Sequence, residues 1–171
     1  MTAPVLERLT GEHRLDSFDC GVPALNDWLC RYARQSERAD SCLTYVAHVG
    51  GEVIGYHALG VGSVERATAP TPLTRRMPRY PIPMILLARL AVDSRCQKTG
   101  LGSGLLRDAL TRAVAAADVV AAKAVVVDAK DGAASFYEQR GFEPFPGDPQ
   151  RLYVTLATIR ASLPGPPRRG R

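Results

Sequence analysis

Apolar positions in steps of three and four mark the first regular stretch. From about Pro23 to Ala39, Leu25, Trp28, Leu29, Tyr32 and Ala33 share one helical face, and Asn26, Asp27, Arg31, Arg34, Gln35 and Glu37 fill the rest. The spacing predicts a helix with Trp28, Leu29 and Tyr32 turned into the core. The alternative is an exposed Trp28 serving a partner surface. Phe18-Asp19-Cys20-Gly21 reads as the turn leading into this helix. Leu43 to Val49 is rich in β-formers, Gly50-Gly51 makes a turn, and Val53 to Val61 gives a second strand, so a hairpin is predicted. Met84 to Val92 is apolar except for Arg89, the pattern of a central strand buried on both faces. Leu101 to about Ala117 is an amphipathic helix, with Leu105, Leu106, Ala109, Leu110, Ala113 and Val114 on its buried side. Lys123 to Asp128 reads as a buried strand. Ala133 to Arg140 reads as a short helix stopped by Gly141. Leu152 to Leu156 and Ala157 to Leu163 close the chain as a strand and a short helix. The expected class is α/β (α+β), a mixed sheet flanked by helices in three layers.

Glu65 to Pro83 breaks the pattern. It holds five prolines and four arginines (Arg66, Arg75, Arg76, Arg79), so a long stiff loop is expected. Such loops in compact domains are often functional.

Length and composition then narrow the class. The 171 residues suit one core, taken as a single domain over 1–163, with the Pro, Gly and Arg residues of 164–171 as a flexible basic tail. An apolar content of 46% excludes disorder as the main state. No apolar run approaches about eighteen residues, so no membrane span is expected. Met1 to Leu9 lacks a secretory h-region, which points to the cytoplasm. The net charge of +5 comes almost wholly from arginine, since Lys98, Lys123 and Lys130 are the only lysines. Arginine suits phosphate and carboxylate partners, although genomic base composition can also enrich it. The four cysteines are not spaced as metal ligands, and His13, His48 and His57 are scattered, so no metal site is expected.

The strongest chemistry lies between the central strand and the long helix. Asp93 through Gly104 forms a glycine-rich strand–turn–helix junction. The first amides of a helix have no internal partner, and the helix dipole is positive there, so the junction is a generic anion cradle. It is not a phosphate loop of the Gly-Lys-Ser/Thr kind, and Gly100, Gly102 and Gly104 give GxGxG rather than GxGxxG. Alone, the motif fits a pyrophosphate site and an ordinary helix start equally well.

Gln97-Lys98-Thr99-Gly100-Leu101-Gly102 resembles the Gln/Arg-x-x-Gly-x-Gly/Ala signature of GCN5-related N-acetyltransferases (GNAT), and Leu90-Ala91-Val92-Asp93 resembles their fourth strand. Asp131 through Phe142 is similar to their Ala-x-x-Phe-Tyr-x-x-x-Gly-Phe block. The resemblance implies a GNAT fold with a mostly antiparallel central sheet and acetyl-CoA held between its fourth and fifth strands. Leu90, Ala91 and Val92 would pair with the pantetheine arm. The amides of Gln97, Lys98, Thr99, Gly100, Leu101, Gly102 and Ser103 would hold the pyrophosphate, with Asp131 and Phe136 completing the cofactor set. Cys96 replaces a commonly aromatic residue, and Asp131 stands where Asn is common. Tyr137 would protonate the leaving thiolate, and a backbone N–H near Val92 would stabilise the oxyanion. The alternative for Tyr137 is plain packing beside Phe136.

A narrower resemblance, to TacT-like GNAT toxins of type II toxin–antitoxin systems, rests on four segments. These are Phe18-Asp19-Cys20-Gly21 with Leu25-Asn26-Asp27-Trp28-Leu29, then Gly55-Tyr56-His57-Ala58-Leu59, Ile82-Pro83 before Leu87 to Asp93, and Phe142-Glu143-Pro144 followed by Asp148-Pro149. It implies acetylation of the α-amine of aminoacyl-tRNA, arrest of translation, a ribbon–helix–helix antitoxin as partner, and a homodimer. An α-amine titrates near ~8 and a lysine near ~10.4, so an aminoacyl ester needs less help from a base. No carboxylate is placed by the sequence as such a base. Arg75, Arg76, Arg79 and Arg89 are the candidates for tRNA phosphates, with Arg31 and Arg34 behind them. Arg89, a charge in a buried strand, alternatively pairs with Asp93 or Asp128. Two other classes stand against this: a GNAT acting on a small amine or antibiotic, and a non-catalytic binding module.

Overall fold

In the computed structural model, which describes residues 2–163, Gly50 and Gly51 both take positive φ, 58° and 89°. Only residues without a Cβ enter that region freely, and the resulting tight turn matches the twist of a hairpin. It folds β2 (Leu43–Val49) onto β3 (Glu52–Val64) in antiparallel register, with a bulge between Ala47 and His48. The hairpin expected from the β-rich runs and the Gly50-Gly51 turn is thus present, and longer by a few residues on its second strand. The stretch 164–171 lies outside the described residues.

The chain divides into two compact units. The first takes in the described residues up to Gly62 together with Ile85–Ala109. Its strands run in the order β1-β2-β3-β4, where β1 is Val5–Arg8 and β4 is Ile82–Val92. The sequence pattern did not single out β1, a four-residue, mostly exposed edge strand. One face of β3 sends Tyr56 into a core of Phe18, Leu25, Leu29, Ala33 and Val46. The other face meets α4 (Leu101–Ala117) at Gly55. A Cβ on Gly55 would stand 2.8 Å from Leu105 Cδ1 and 3.3 Å from the Ala91 carbonyl oxygen. Leu105 is fully buried and has little room to move. Gly55→Ala is therefore expected to cost about 1–3 kcal/mol by overpacking, read as a lowered urea midpoint at unchanged m-value.

The expected first helix is interrupted. It runs as α1 (Pro23–Asp27), a π-helical turn (Trp28–Tyr32) and α2 (Ala33–Arg38). A π turn adds one residue to the helical repeat and shifts the phase of everything after it. Leu29 and Ala33 stay buried, Trp28 packs half-buried against the core, and Tyr32 swings out to 51% exposure. The expectation that Tyr32 is core is thereby corrected. Regular 3.6-residue counting cannot see the extra residue.

The second unit comprises Ser63–Met84 and the described residues from Leu110. Its strands run β5 (Ala124–Asp128), β7 (Asp148–Thr155), β6 (Glu143–Phe145), with both pairings antiparallel. Helices α5 (Ala134–Glu138) and α6 (Leu156–Ser162) follow the sequence pattern to within a residue or two. Gly141 takes φ 95°, as its stop position requires. The segment after Val64 is not the bare loop expected: it contains a 3₁₀ turn at Arg66–Thr68 and a short helix α3 (Thr71–Thr74). Leu73 anchors it as a fully buried residue, and Arg66 Nη1 donates to the Met77 carbonyl at 3.2 Å. No helix among the described residues is long and apolar enough to cross a membrane.

Candidate active site

The cofactor side is built on the end of β4. Ile82, Met84, Ile85, Leu87 and Ala91 are buried, whereas Pro83 is exposed and Leu86, Ala88, Arg89, Leu90 and Val92 are half-exposed. The expectation of burial on both faces holds for the first part only. Within Leu90 to Val92, Ala91 is buried and the Val92 carbonyl accepts from Gln97 Nε2 at 3.1 Å.

After Val92 the chain turns through Ser94–Cys96 into the glycine segment. Lys98 adopts φ 61° and Gly100 φ 90°. A non-glycine residue in the left-handed region is strained, and such strain gathers where a loop is shaped for a ligand. Thr99 Oγ1 donates to the Cys96 carbonyl at 2.5 Å, and Gly104 N–H donates back to Gly100 O at 3.1 Å. No acidic residue occupies the first turn of α4, so the positive end of the helix is not neutralised locally. Gln97 through Ser103 thus lie together at a helix head suited to an anion.

What fastens this segment was missed from the sequence. Asp93 is buried, and its Oδ1 accepts from Arg95 N–H and Arg95 Nε, each at 2.9 Å. Its Oδ2 accepts from Arg95 Nη2 and from Asp19 N–H, each at 3.1 Å. The Arg95 guanidinium and these amides hold the Asp93 carboxyl down at about 2. Arg95 also reaches Glu52 Oε1 at 3.1 Å. The Asp93 N–H donates to Ile54 O at 2.9 Å, so an oxyanion donor near Val92 has to be a different amide. The only sequence hint was the Phe18-Asp19-Cys20-Gly21 turn, whose partner lies 74 residues away.

Arg89 pairs with neither acid proposed for it. Asp93 is taken by Arg95, and Asp128 lies 3.6 Å from Arg151. Its guanidinium stands over the Trp28 ring at 5.3 Å and donates to its neighbour's carbonyl, Ala88 O. Among the described residues no carboxylate pairs with it.

Tyr137 belongs to the second unit, with Phe136 and Asp131. It sits on α5, edge-on to Phe136 (5.1 Å) and Phe142 (5.5 Å). The side chain is buried, and burial pushes the phenol up to about 12. Among the described residues nothing hydrogen-bonds its hydroxyl. Packing beside Phe136 is therefore real, but it does not account for the oxygen. Phe136 is half-buried, with Arg140 over its ring at 3.8 Å; Asp131 is exposed.

Arg75, Arg76 and Arg79 are all exposed, and among the described residues no carboxylate pairs with them. Arg76 takes φ 58°. Arg34, by contrast, is engaged: its Nη2 donates to Thr10 O at 3.1 Å and lies 3.4 Å from His13 O. Arg31 lies 4.0 Å from Asp27. Two of the scattered histidines converge after all. His13 Nε2 and His48 Nε2 lie 3.0 and 2.6 Å from Glu7 Oε1. Each Nδ1 accepts a backbone N–H, from Thr10 and Gly51 respectively, so each Nε2 carries the hydrogen and donates to Glu7. Nitrogens used in that way fasten β1 rather than ligate a cation. His57 is fully buried and lies 2.7 Å from Asp108 of α4.

A helix head suited to an anion is compatible with an acyl-CoA-dependent transferase, and the family match defines that class. Residues 40–144 match the family model for the acetyltransferase (GNAT) domain, and the chain belongs to that family of acetyltransferases. Its relatives narrow the class. The chain is 41% identical over 157 residues to a tRNA-acetylating toxin of Mycobacterium tuberculosis, covering 91% of this chain and 94% of that one. AtaT complexed with acetyl-methionyl-tRNAfMet superposes with a TM-score of 0.85 at 28% identity, over 92% of this chain and 98% of the other. A Tyr→Phe variant of the AtaT toxin, bound to the C-terminus of the antitoxin AtaR and to acetyl-CoA, gives 0.81 at 27% identity, over 94% and 98%.

Proposed function

We propose that this acetyltransferase transfers an acetyl group from acetyl-CoA to the α-amine of an aminoacyl-tRNA and thereby blocks translation. The observation that carries this reading is the 41% identity to a tRNA-acetylating toxin over nine-tenths of both chains. In this chain the amides from Gln97 to Ser103 take the pyrophosphate, the backbone of Leu90 to Val92 takes the pantetheine arm, and Asp131 and Phe136 line the same cofactor. The neutral amine attacks the thioester carbonyl; the C–N bond forms, the C–S bond breaks, and Tyr137 gives its proton to the departing sulfur. Arg75, Arg76, Arg79 and Arg89 meet tRNA phosphates, a role supported by four guanidinium groups without carboxylate partners among the described residues. The reading places the activity in the cytoplasm, where charged tRNA is used. It also includes a ribbon–helix–helix antitoxin and a homodimer. Support for an antitoxin comes from the AtaT–AtaR complex.

Mass spectrometry of charged tRNA incubated with labelled acetyl-CoA tests the reaction, with an N-acetylated aminoacyl product expected. The phosphate contacts carry a separate prediction. Acetylation kcat/KM should fall about tenfold or more between ~50 and ~200 mM salt, and Arg75→Ala with Arg79→Ala should flatten that slope. Rates indifferent to salt would favour a small amine as acceptor.

A further inference from the structure

Cys20 is gripped on both sides of its backbone. Its N–H donates to Asn26 Oδ1 at 2.9 Å, and its carbonyl accepts from Gln97 Nε2 at 3.1 Å. The same Nε2 donates to the Val92 carbonyl, also at 3.1 Å. Asp19 Oδ1 accepts from Gly21 N–H and Asn26 Nδ2, each at 2.9 Å, and Ser94 N–H donates to Asp19 O at 2.8 Å. Gly21 takes φ 84°, which lets the turn close. The Asp19–Gly21 turn is thus tied to α1 through Asn26, and to the β4–α4 junction through Asp93, Ser94 and Gln97. The Gln97 side-chain amide is spent within the protein and has no hydrogen left to offer an anion.

We propose that Asn26 and Gln97 are positioning residues for acetyl-CoA: through Cys20 they fix the direction in which the chain leaves Val92, and so aim the amides of Lys98 to Ser103 at the pyrophosphate. This rests on the acetyl-CoA reading above. It also accounts for the residue type at position 97. Gln and Arg, the two residues the signature allows there, share an N–H donor that two carbonyls can accept. A glutamate of the same length would set a carboxylate against those carbonyls.

The test is calorimetric titration of the full chain with acetyl-CoA, at a temperature where circular dichroism shows every variant folded. Asn26→Ala and Gln97→Ala should each raise Kd about five- to tenfold, with the double variant well short of the product, because both act through Cys20. Gln97→Arg should restore most of the affinity. In steady-state assays the rise in KM for acetyl-CoA should exceed any fall in kcat. Gln97 is exposed, so its variants keep the question open to refutation even where Asn26→Ala destabilises the turn. Wild-type Kd in both single variants, or strictly multiplicative effects, would overturn the proposal. Absence of heat with the wild-type chain would overturn the acetyl-CoA reading and this proposal with it; heat with wild type that the variants leave unchanged would overturn this proposal alone.

Discussion

Tyr137→Phe should bind acetyl-CoA with wild-type affinity and lose two to four orders of magnitude in kcat, roughly the worth of a positioned general acid. The substitution removes one oxygen and keeps the ring, so the edge-on contacts with Phe136 and Phe142 persist. Its hydroxyl has no partner to orphan among the described residues, so stability should change little. The pH profile supplies a second readout. Burial raises the phenol to about 12, so it remains protonated and able to donate across the neutral and mildly alkaline range. Activity should climb as the acceptor amine loses its proton, near pH ~8 or below, with no loss from Tyr137 until far higher pH. Unchanged turnover in the phenylalanine variant would remove Tyr137 from the chemistry and leave it a packing residue.

Asp93→Asn should be the most destabilising of the single substitutions considered, by about 3 kcal/mol. The carboxylate is buried and takes four hydrogen bonds, three of them from Arg95. An amide in its place loses the charge and turns an NH₂ towards N–H donors that have nowhere else to go. The pH dependence has a definite sign. Asp93 is held at about 2 when folded and returns to about 3.9 when unfolded, so it stabilises the fold above the unfolded value. That contribution drains away as pH falls from ~4 to ~2. It amounts to about 2 kcal/mol, since the exposed Arg95 side of the pair is screened by solvent. Urea midpoints measured across that range should fall for the wild type and stay flatter for the asparagine variant. Parallel curves would mean that Asp93 does not carry the acid limb.

Local pattern made much of this legible. The long helix is Leu101–Ala117 as its apolar spacing indicates, and β2 spans Leu43–Val49 as its β-formers indicate. These are cases where side-chain period and chain propensity agree. The first helix shows where counting fails. The π turn at Trp28–Tyr32 is invisible to a 3.6-residue template, and Tyr32 was misplaced for that reason. Sequence places Arg34 behind the tRNA phosphate candidates, yet it holds the carbonyl of Thr10, a contact 24 residues apart. The proline-rich segment reads as loop in the sequence because proline disfavours strands and helix interiors. Proline is tolerated in the first turn of a helix, and that is where Pro72 sits in α3.

By itself the sequence determined the family. The glycine segment and the Phe136-Tyr137 block match the family's signatures in residue type and order, which need no coordinates to be recognised. Only the tertiary structure decided which charges are spent and which are available. Asp93 is consumed by Arg95 and Asp19, Arg34 by Thr10, and the Gln97 amide by Cys20 and Val92, while Arg89 rests on Trp28 with no carboxylate partner among the described residues. Hydrogen bonds and ion pairs act over about 3 Å, and which groups come that close is set by folding rather than by separation along the chain.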